Sequence, residues 1–182
     1  AARKQALWDS RVTLTRQLVA KIRNATQPPA VFLSGSAIGY YGDCGDRAVD
    51  ETDPAGEDYG ATLCSAWEQA ALEASGENTR VCLLRTGLVL HPSGGMLGRM
   101  SLPYRLGLGG AIGSGEQWMS WIHRDDHIAI MLRLLHTPTA VGIYNLTAPA
   151  PVNNRTFSHQ LAQSFNRPDV LTTPAWLLRL IL

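Results

Sequence analysis

The chain has 182 residues, 45% of them hydrophobic and 17% charged, with sixteen Lys and Arg against fifteen Asp and Glu. That length and apolar content suit one domain, or one and a small appendage, with a sizeable core, and they exclude bulk disorder. A net charge of +1 argues against a dedicated nucleic-acid binder, which carries a basic excess on one face.

Cys44, Cys64 and Cys82 are an odd number of cysteines with no CxxC spacing. They predict reduced thiols in a cytoplasmic protein, neither a disulfide framework nor a zinc cluster. No apolar run reaches the roughly 18 residues of a membrane span. No basic stretch followed by an apolar one opens the sequence, so secreted and membrane classes are not expected.

In chain order, residues 1–23 predict an amphipathic helix with Leu7, Leu14, Leu18 and Ile22 at helical spacing, although no capping residue precedes it. A turn follows at 24–29, then the apolar run Val31-Phe32-Leu33, which suits a strand buried on both faces. Residues 34–45 are rich in Ser, Gly and Tyr, and 46–58 form an acidic loop containing Pro54. A helix is expected over 59–75, with Leu63, Trp67, Ala70 and Ala74 on one face. Glu57 and Asp58 favour its start and Gly76 its end. Val81-Cys82-Leu83-Leu84 is a second buried strand, and strand, helix, strand at this spacing is a βαβ unit, so the fold class is α/β.

Beyond it come a loop at 91–95, a short helix ended by Pro103 and a glycine-rich stretch over 107–115. A strand is expected at 118–123 and a helix at 126–136 whose apolar face is Ile128, Met131, Leu132 and Leu135. Residues 142–146 form another strand, and Asn153 or Asn154 caps a helix carrying Phe157, Leu161 and Phe165. The sequence stops on an apolar run at 176–182. Two such untidy ends lead us to expect a piece of a longer protein.

Ser34-Gly35-Ser36-Ala37-Ile38-Gly39-Tyr40-Tyr41-Gly42 leaves the first strand at its carboxyl end, where open parallel sheets bind ligands. Small residues there let a flat ring approach the backbone, and Ser hydroxyls can donate to a carbonyl or alcohol oxygen. An ordinary strand exit is equally compatible with the spacing. The glycine-rich stretch lacks the strand, glycine turn and helix of a phosphate loop. It reads as a flexible loop closing over a substrate, or as a plain turn. His123 and His127 have the i, i+4 spacing of a zinc pair, but Arg124 stands where the Glu of HEXXH would be. An Asp125 or Asp126 cap explains the acidic pair between them, so no metal is expected.

The nine-residue stretch from Ser34 resembles the extended short-chain dehydrogenase/reductase superfamily, in its NAD-dependent epimerase/dehydratase branch. More narrowly it resembles an incompletely characterised "epimerase family" subgroup. Leu84-Arg85-Thr86-Gly87-Leu88-Val89-Leu90 and the 106–115 glycine stretch are similar to that subgroup too. Trp121-Ile122-His123-Arg124-Asp125-Asp126 and Tyr144-Asn145 follow in the expected order. The resemblance runs from about Ser10 to the end of the chain.

The resemblance implies the C-terminal part of a Rossmann-like, doubly wound parallel sheet with a small mixed substrate-binding region. Residues 1–90 would be a partial NAD(P)-binding region without its first strands and glycine-rich loop. Residues 91–182 would be the substrate-binding region interleaved with the last strands and cut at its C-terminus. The implied activity is NADP- or NAD-dependent oxidoreductase or epimerase chemistry on an unidentified, nucleotide-sugar-like small molecule. Without the first strands, the chain as it stands should bind NAD(P) poorly or not at all.

By position Ser36 and Tyr59 match the family's catalytic Ser and Tyr. Arg11, Ser34, Gly35, Arg85, Gly87 and Val89 are implied to meet the cofactor, and Tyr40, Tyr41, Trp121 and His123 the substrate. A tyrosine needs a nearby positive charge to act as a base near neutrality. The family supplies it as a Lys four residues on, where this chain has Leu63. That departure keeps a second reading open, a cofactor-binding sensor that has lost turnover. A metal-dependent hydrolase using His123 and His127 is a remote third. The resemblance admits a homodimer and implies neither nucleic acid nor membrane as partner.

Overall fold

The structure is a computed structural model that describes residues 2–169. The apolar run at 176–182 lies outside the described residues. In chain order the helices are α1 (Ala2–Trp8), a π-helical turn (Asp9–Thr13), α2 (Leu14–Arg23), α3 (Tyr59–Leu72), α4 (Gly95–Arg105), α5 (Arg124–His136) and α6 (Asn154–Ser164). The strands are β1 (Val31–Ala37), β2 (Arg80–Thr86), β3 (Leu88–Leu90), β4 (Trp118–Met119), β5 (Trp121–His123), β6 (Gly142–Leu146) and β7 (Val152–Asn153). Residues 2–86 with 128–146 form one compact unit, and residues 87–127 with 147–169 a second.

The first unit is built on a parallel sheet of order β1-β2-β6. Val81, Cys82, Leu83 and Leu84 of β2 are all buried, as a central strand covered on both faces requires. The expected first strand is longer than its apolar run. Ser34, Gly35, Ser36 and Ala37 continue it, paired with Leu83, Leu84, Arg85 and Thr86. The ladder to β2 satisfies their backbone groups, so a stretch expected as loop is strand.

The opening helix forms, but its buried face differs from the one expected. Leu14 and Leu18 are 59% and 47% exposed, while Val12, Thr15, Val19 and Ile22 are buried. The π turn at Asp9–Thr13 is the reason. It adds a residue to the helix, which rotates everything after it by about 100° relative to Leu7. Val19 and Ile22 then meet Ala71, Ala74, Val81 and Leu83, and Val12 meets Leu63 and Ala70.

Asp58 caps α3, accepting from the Ala61 N–H at 2.7 Å. The face expected to be apolar is buried at Leu63 and Ala70, and Trp67 packs against the same cluster. On α5 the buried position is Leu134, whereas Ile128, Leu132 and Leu135 are 46%, 51% and 44% exposed. Nearly every residue from 128 to 135 is apolar, so periodicity alone does not choose the face. The guanidinium of Arg80 donates to Leu134 O, Leu135 O and Ala140 O at 2.8, 2.9 and 2.8 Å, and ties down the C-terminal end of this helix.

In the second unit β3 and β5 are parallel, and β4 and β7 antiparallel. The single strand expected over 118–123 is thus divided at Ser120, whose carbonyl accepts from Leu88 N at 2.8 Å. Pro103 lies inside α4 and does not end it. The glycine stretch is anchored, not loose. Tyr104 Oη donates to Gly110 O at 3.1 Å and pairs with Ser158 Oγ at 2.7 Å. Asn154 Oδ1 accepts from Ile112 N at 2.7 Å, and Arg155 N donates to Gly115 O at 2.8 Å. Asn153 is the residue that caps α6, through Thr156 N.

Candidate active site

Ser36, Arg85 and Asn145 lie side by side across β1, β2 and β6, as register partners near the carboxyl ends of the strands. Partners in a parallel ladder share a face of the sheet. Glu68 of α3 reaches this row. Its Oε1 accepts from Ser36 Oγ at 2.6 Å and from Arg85 Nε at 2.8 Å, and its Oε2 accepts from Arg85 Nη2 at 2.8 Å. Arg85 Nη1 donates to Tyr41 Oη at 2.9 Å, and Tyr41 donates in turn to Asn145 Oδ1 at 2.7 Å. The guanidinium also stacks on the ring of Tyr40, 3.4 Å from its centroid.

Donor and acceptor capacities fix the direction of every link. Glu68 can only accept, so Ser36 gives its hydroxyl hydrogen to the carboxylate and keeps oxygen lone pairs for a further partner. Arg85 can only donate, so the Tyr41 hydrogen points at Asn145 and turns that amide oxygen inward. The Asn145 N–H is held by Glu51 Oε1 at 2.7 Å, which tethers the acidic loop to the end of β6.

Arg85 is 1% exposed and its ion pair with Glu68 is buried. Burial works against its charge, but hydrogen bonds to Glu68 and Tyr41 outweigh it and hold the guanidinium firmly protonated. Burial also raises the Tyr41 hydroxyl above the ordinary tyrosine value, and the bonds to Arg85 and Asn145 only partly offset it. Cys64, close to Ser36 and Ala37, is likewise pushed up by burial.

Tyr59 is the first residue of α3 and stands apart from this network. Its hydroxyl donates to Lys4 O at 2.7 Å, and the Lys4 ammonium lies 4.5 Å from the centre of its ring. Leu63, four residues on, is buried against Val12 and Ala70. Ser34 Oγ turns to Gly35 O at 3.3 Å. Gly35 itself is exposed, and a Cβ there would come within 3.3 Å of the Trp67 indole. Arg11 sits in the π turn, uses Nη1 on Ser10 Oγ at 3.0 Å and Leu7 O at 3.4 Å, and lies 5.6 Å over Trp67.

A cavity of about 500 Å³ opens in the same unit, lined by Tyr41, Gly42, Asp43, Cys44, Arg47 and the 54–58 segment. The structure therefore joins Ser36, Tyr40, Tyr41 and Arg85 in one cluster and places Tyr59 outside it.

Gly87, Val89, Trp121 and His123 belong to the second unit. A Cβ on Gly87 would stand 2.5 Å from Ser120 O, so close strand packing alone requires a glycine there. Val89 pairs with Ile122. Trp121 Nε1 donates to Ala150 O at 3.1 Å. His123 Nδ1 accepts from Asp125 N at 3.2 Å. His127 is lowered below the usual histidine value by burial. Among the described residues no group of three His, Cys, Asp or Glu has a metal-holding arrangement.

Sequence reasoning missed Glu68, Glu51 and Lys4. The available signal for Glu68 was a lone acid between Cys64 and Ala71 on an otherwise apolar helix face. The chemistry of the first unit suits the nicotinamide end of a dinucleotide. It offers hydroxyls and small residues at a parallel strand end, backbone exposed at Gly35, and the Arg11 guanidinium for a phosphate.

A family model described as "NAD dependent epimerase/dehydratase family" matches residues 1–147. The "Epimerase family protein Mb2239" of Mycobacterium bovis is 44% identical over 172 residues, which is 94% of this chain and 56% of that protein. The crystal structure of human epimerase family protein SDR39U1 (isoform 2) with NADPH superposes with a TM-score of 0.95 at 32% identity, covering 100% of this chain and 62% of that one. A nucleoside-diphosphate sugar epimerase from Corynebacterium glutamicum has a TM-score of 0.80 at 34% identity, over 100% of this chain and 40% of that one. The chain thus spans little more than half the length of the Mycobacterium bovis relative.

Proposed function

From the chain's membership in the NAD-dependent epimerase/dehydratase family, we propose that the full-length protein is an NADP(H)- or NAD(H)-dependent oxidoreductase or epimerase. Its substrate is a small polyhydroxylated molecule of nucleotide-sugar type. The observation that carries the reading is the likeness, over the whole of this chain, to a human relative crystallised with NADPH. Support for the substrate class comes from the Corynebacterium glutamicum epimerase.

When bound, the nicotinamide supplies or accepts a hydride. Arg11 holds a cofactor phosphate, and Ser34, Gly35, Gly87 and Val89 border the nicotinamide. Arg85 acts through Ser36 and Tyr41, which it and Glu68 hold in place. Ser36, its hydrogen committed to Glu68, accepts from a substrate hydroxyl, and Tyr59 moves the proton at the reacting oxygen. Tyr40, Tyr41, Trp121 and His123 contribute to the substrate surface. Residues 1–90 supply the cofactor side, and residues 91–182 supply the rest of the substrate surface.

One observation favours a second reading, a binding protein without turnover: the buried, apolar Leu63 stands where a lysine would serve Tyr59. The two readings part in one experiment. Full-length protein is titrated with NADPH and NADH by fluorescence and assayed for turnover on a panel of nucleotide sugars. Turnover that falls in Ser36→Ala and Tyr59→Phe supports the enzyme. Binding with no turnover across the panel supports the sensor.

A further inference from the structure

We propose that Lys4 is the positioning residue of Tyr59, and that its ammonium supplies from α1 the positive charge that Leu63 cannot supply from α3. The inference rests on the reading of Tyr59 as the proton-transferring hydroxyl.

Three features of the structure carry it. The Lys4 ammonium lies 4.5 Å from the Tyr59 ring centre, where it attracts the π face of the neutral ring and attracts a phenolate more strongly. The Tyr59 hydroxyl donates at 2.7 Å to Lys4 O, which holds the ring beside the residue that carries the ammonium. Tyr59 opens the fourteen-residue α3, whose aligned peptide dipoles add partial positive charge at that end.

The other charged groups on surrounding elements have assignments of their own. Asp9 accepts from Gln5 and Thr13, Arg11 lies over Trp67, and Asp58 is bonded to Ala61 N. Glu68 and Arg85 are paired with each other. Arg3 stands on α1 and Arg16 on α2, and Glu57 precedes Asp58.

In the reducing direction the Tyr59 O–H bond breaks and its proton passes to the substrate oxygen, which becomes the alcohol. The hydride that completes the alcohol comes from the reduced nicotinamide named above. The charge left on the Tyr59 oxygen is balanced by the Lys4 ammonium until solvent returns a proton. In the oxidising direction the same phenolate takes the proton from the alcohol.

The test uses full-length protein and the variants Lys4→Met, Lys4→Arg and Tyr59→Phe. Lys4 is exposed, so the fold tolerates both of its substitutions, and Tyr59→Phe removes only the hydroxyl oxygen. Without cofactor, a tyrosinate absorbance titration shows one component that Tyr59→Phe removes. Lys4→Met moves that component to higher pH, and Lys4→Arg leaves it in place. Turnover in the oxidising direction at neutral pH falls about tenfold or more in Lys4→Met, recovers as pH rises, and stays within about threefold of wild type in Lys4→Arg. A Tyr59 component at the same pH in Lys4→Met overturns the proposal, as does a loss of turnover that does not change with pH. Should the wild type bind NADPH and turn nothing over, the enzymatic reading fails. The cofactor-free titration still decides the Lys4 question.

Discussion

Ser36 on β1 and Arg85 on β2 are register partners, and both bond to the same carboxylate oxygen, Oε1 of Glu68, at 2.6 and 2.8 Å. One helix acid thereby sets the hydroxyl direction at the strand end and neutralises a buried guanidinium. The link runs on through Tyr41 to Asn145, so three strands, α3 and the segment after β1 share one hydrogen-bonded cluster.

Removing one member of the buried ion pair strands the other. Glu68→Ala or Arg85→Met should each cost about 3–5 kcal/mol in chemical denaturation. Replacing both with apolar residues of similar volume should cost clearly less than the sum, because no uncompensated charge remains. Additive losses would show that the pair is not coupled.

Ser36→Ala leaves both Arg85 bonds to Glu68 intact. Its stability cost should stay near 1 kcal/mol, while turnover falls by roughly 10²-fold or more. Thermal melts and kinetics on the same preparation check both halves of this expectation.

Alkaline pH should unfold the protein partly through Tyr41. Burial raises its folded value, so the folded state keeps a proton that the unfolded chain releases near pH 10. This contribution is complete below about pH 10 and disappears as pH rises through the higher folded value. Tyr41→Phe should flatten that limb. The part due to Tyr104, also raised by burial, should remain.

The glycines should tolerate substitution very unevenly. A Cβ on Gly109 would sit 2.4 Å from the Tyr104 ring, whereas Gly39 has nothing within 4 Å of its added Cβ. Gly109→Ala should lower stability by roughly 1–3 kcal/mol, and Gly39→Ala should be far milder. Equal melting temperatures for the two variants would mean that Tyr104 does not hold the loop.

Much of the fold was legible because β2 is four consecutive buried apolar residues and Asp58 is a standard cap. The βαβ reading needed nothing more. What failed had local causes. Ser34 to Ala37 are small and polar, and only the neighbouring strand makes them extended. The face of α2 depended on a π turn, and a one-residue change in helical repeat leaves no mark on the pattern of apolar residues before it. At the site, Ser36, Tyr41 and Arg85 were visible as motif residues. Glu68 and Lys4 were not, because their roles depend on which helix faces lie against the strand end and against Tyr59.

Labelling follows the hydride itself. Full-length protein is incubated with deuterium-labelled NADPH and a panel of keto nucleotide sugars, and products are read by mass spectrometry. Wild type should place deuterium on a sugar carbon, and Tyr59→Phe should abolish that transfer. Saturable NADPH binding with no deuterium in any sugar would contradict the enzymatic reading.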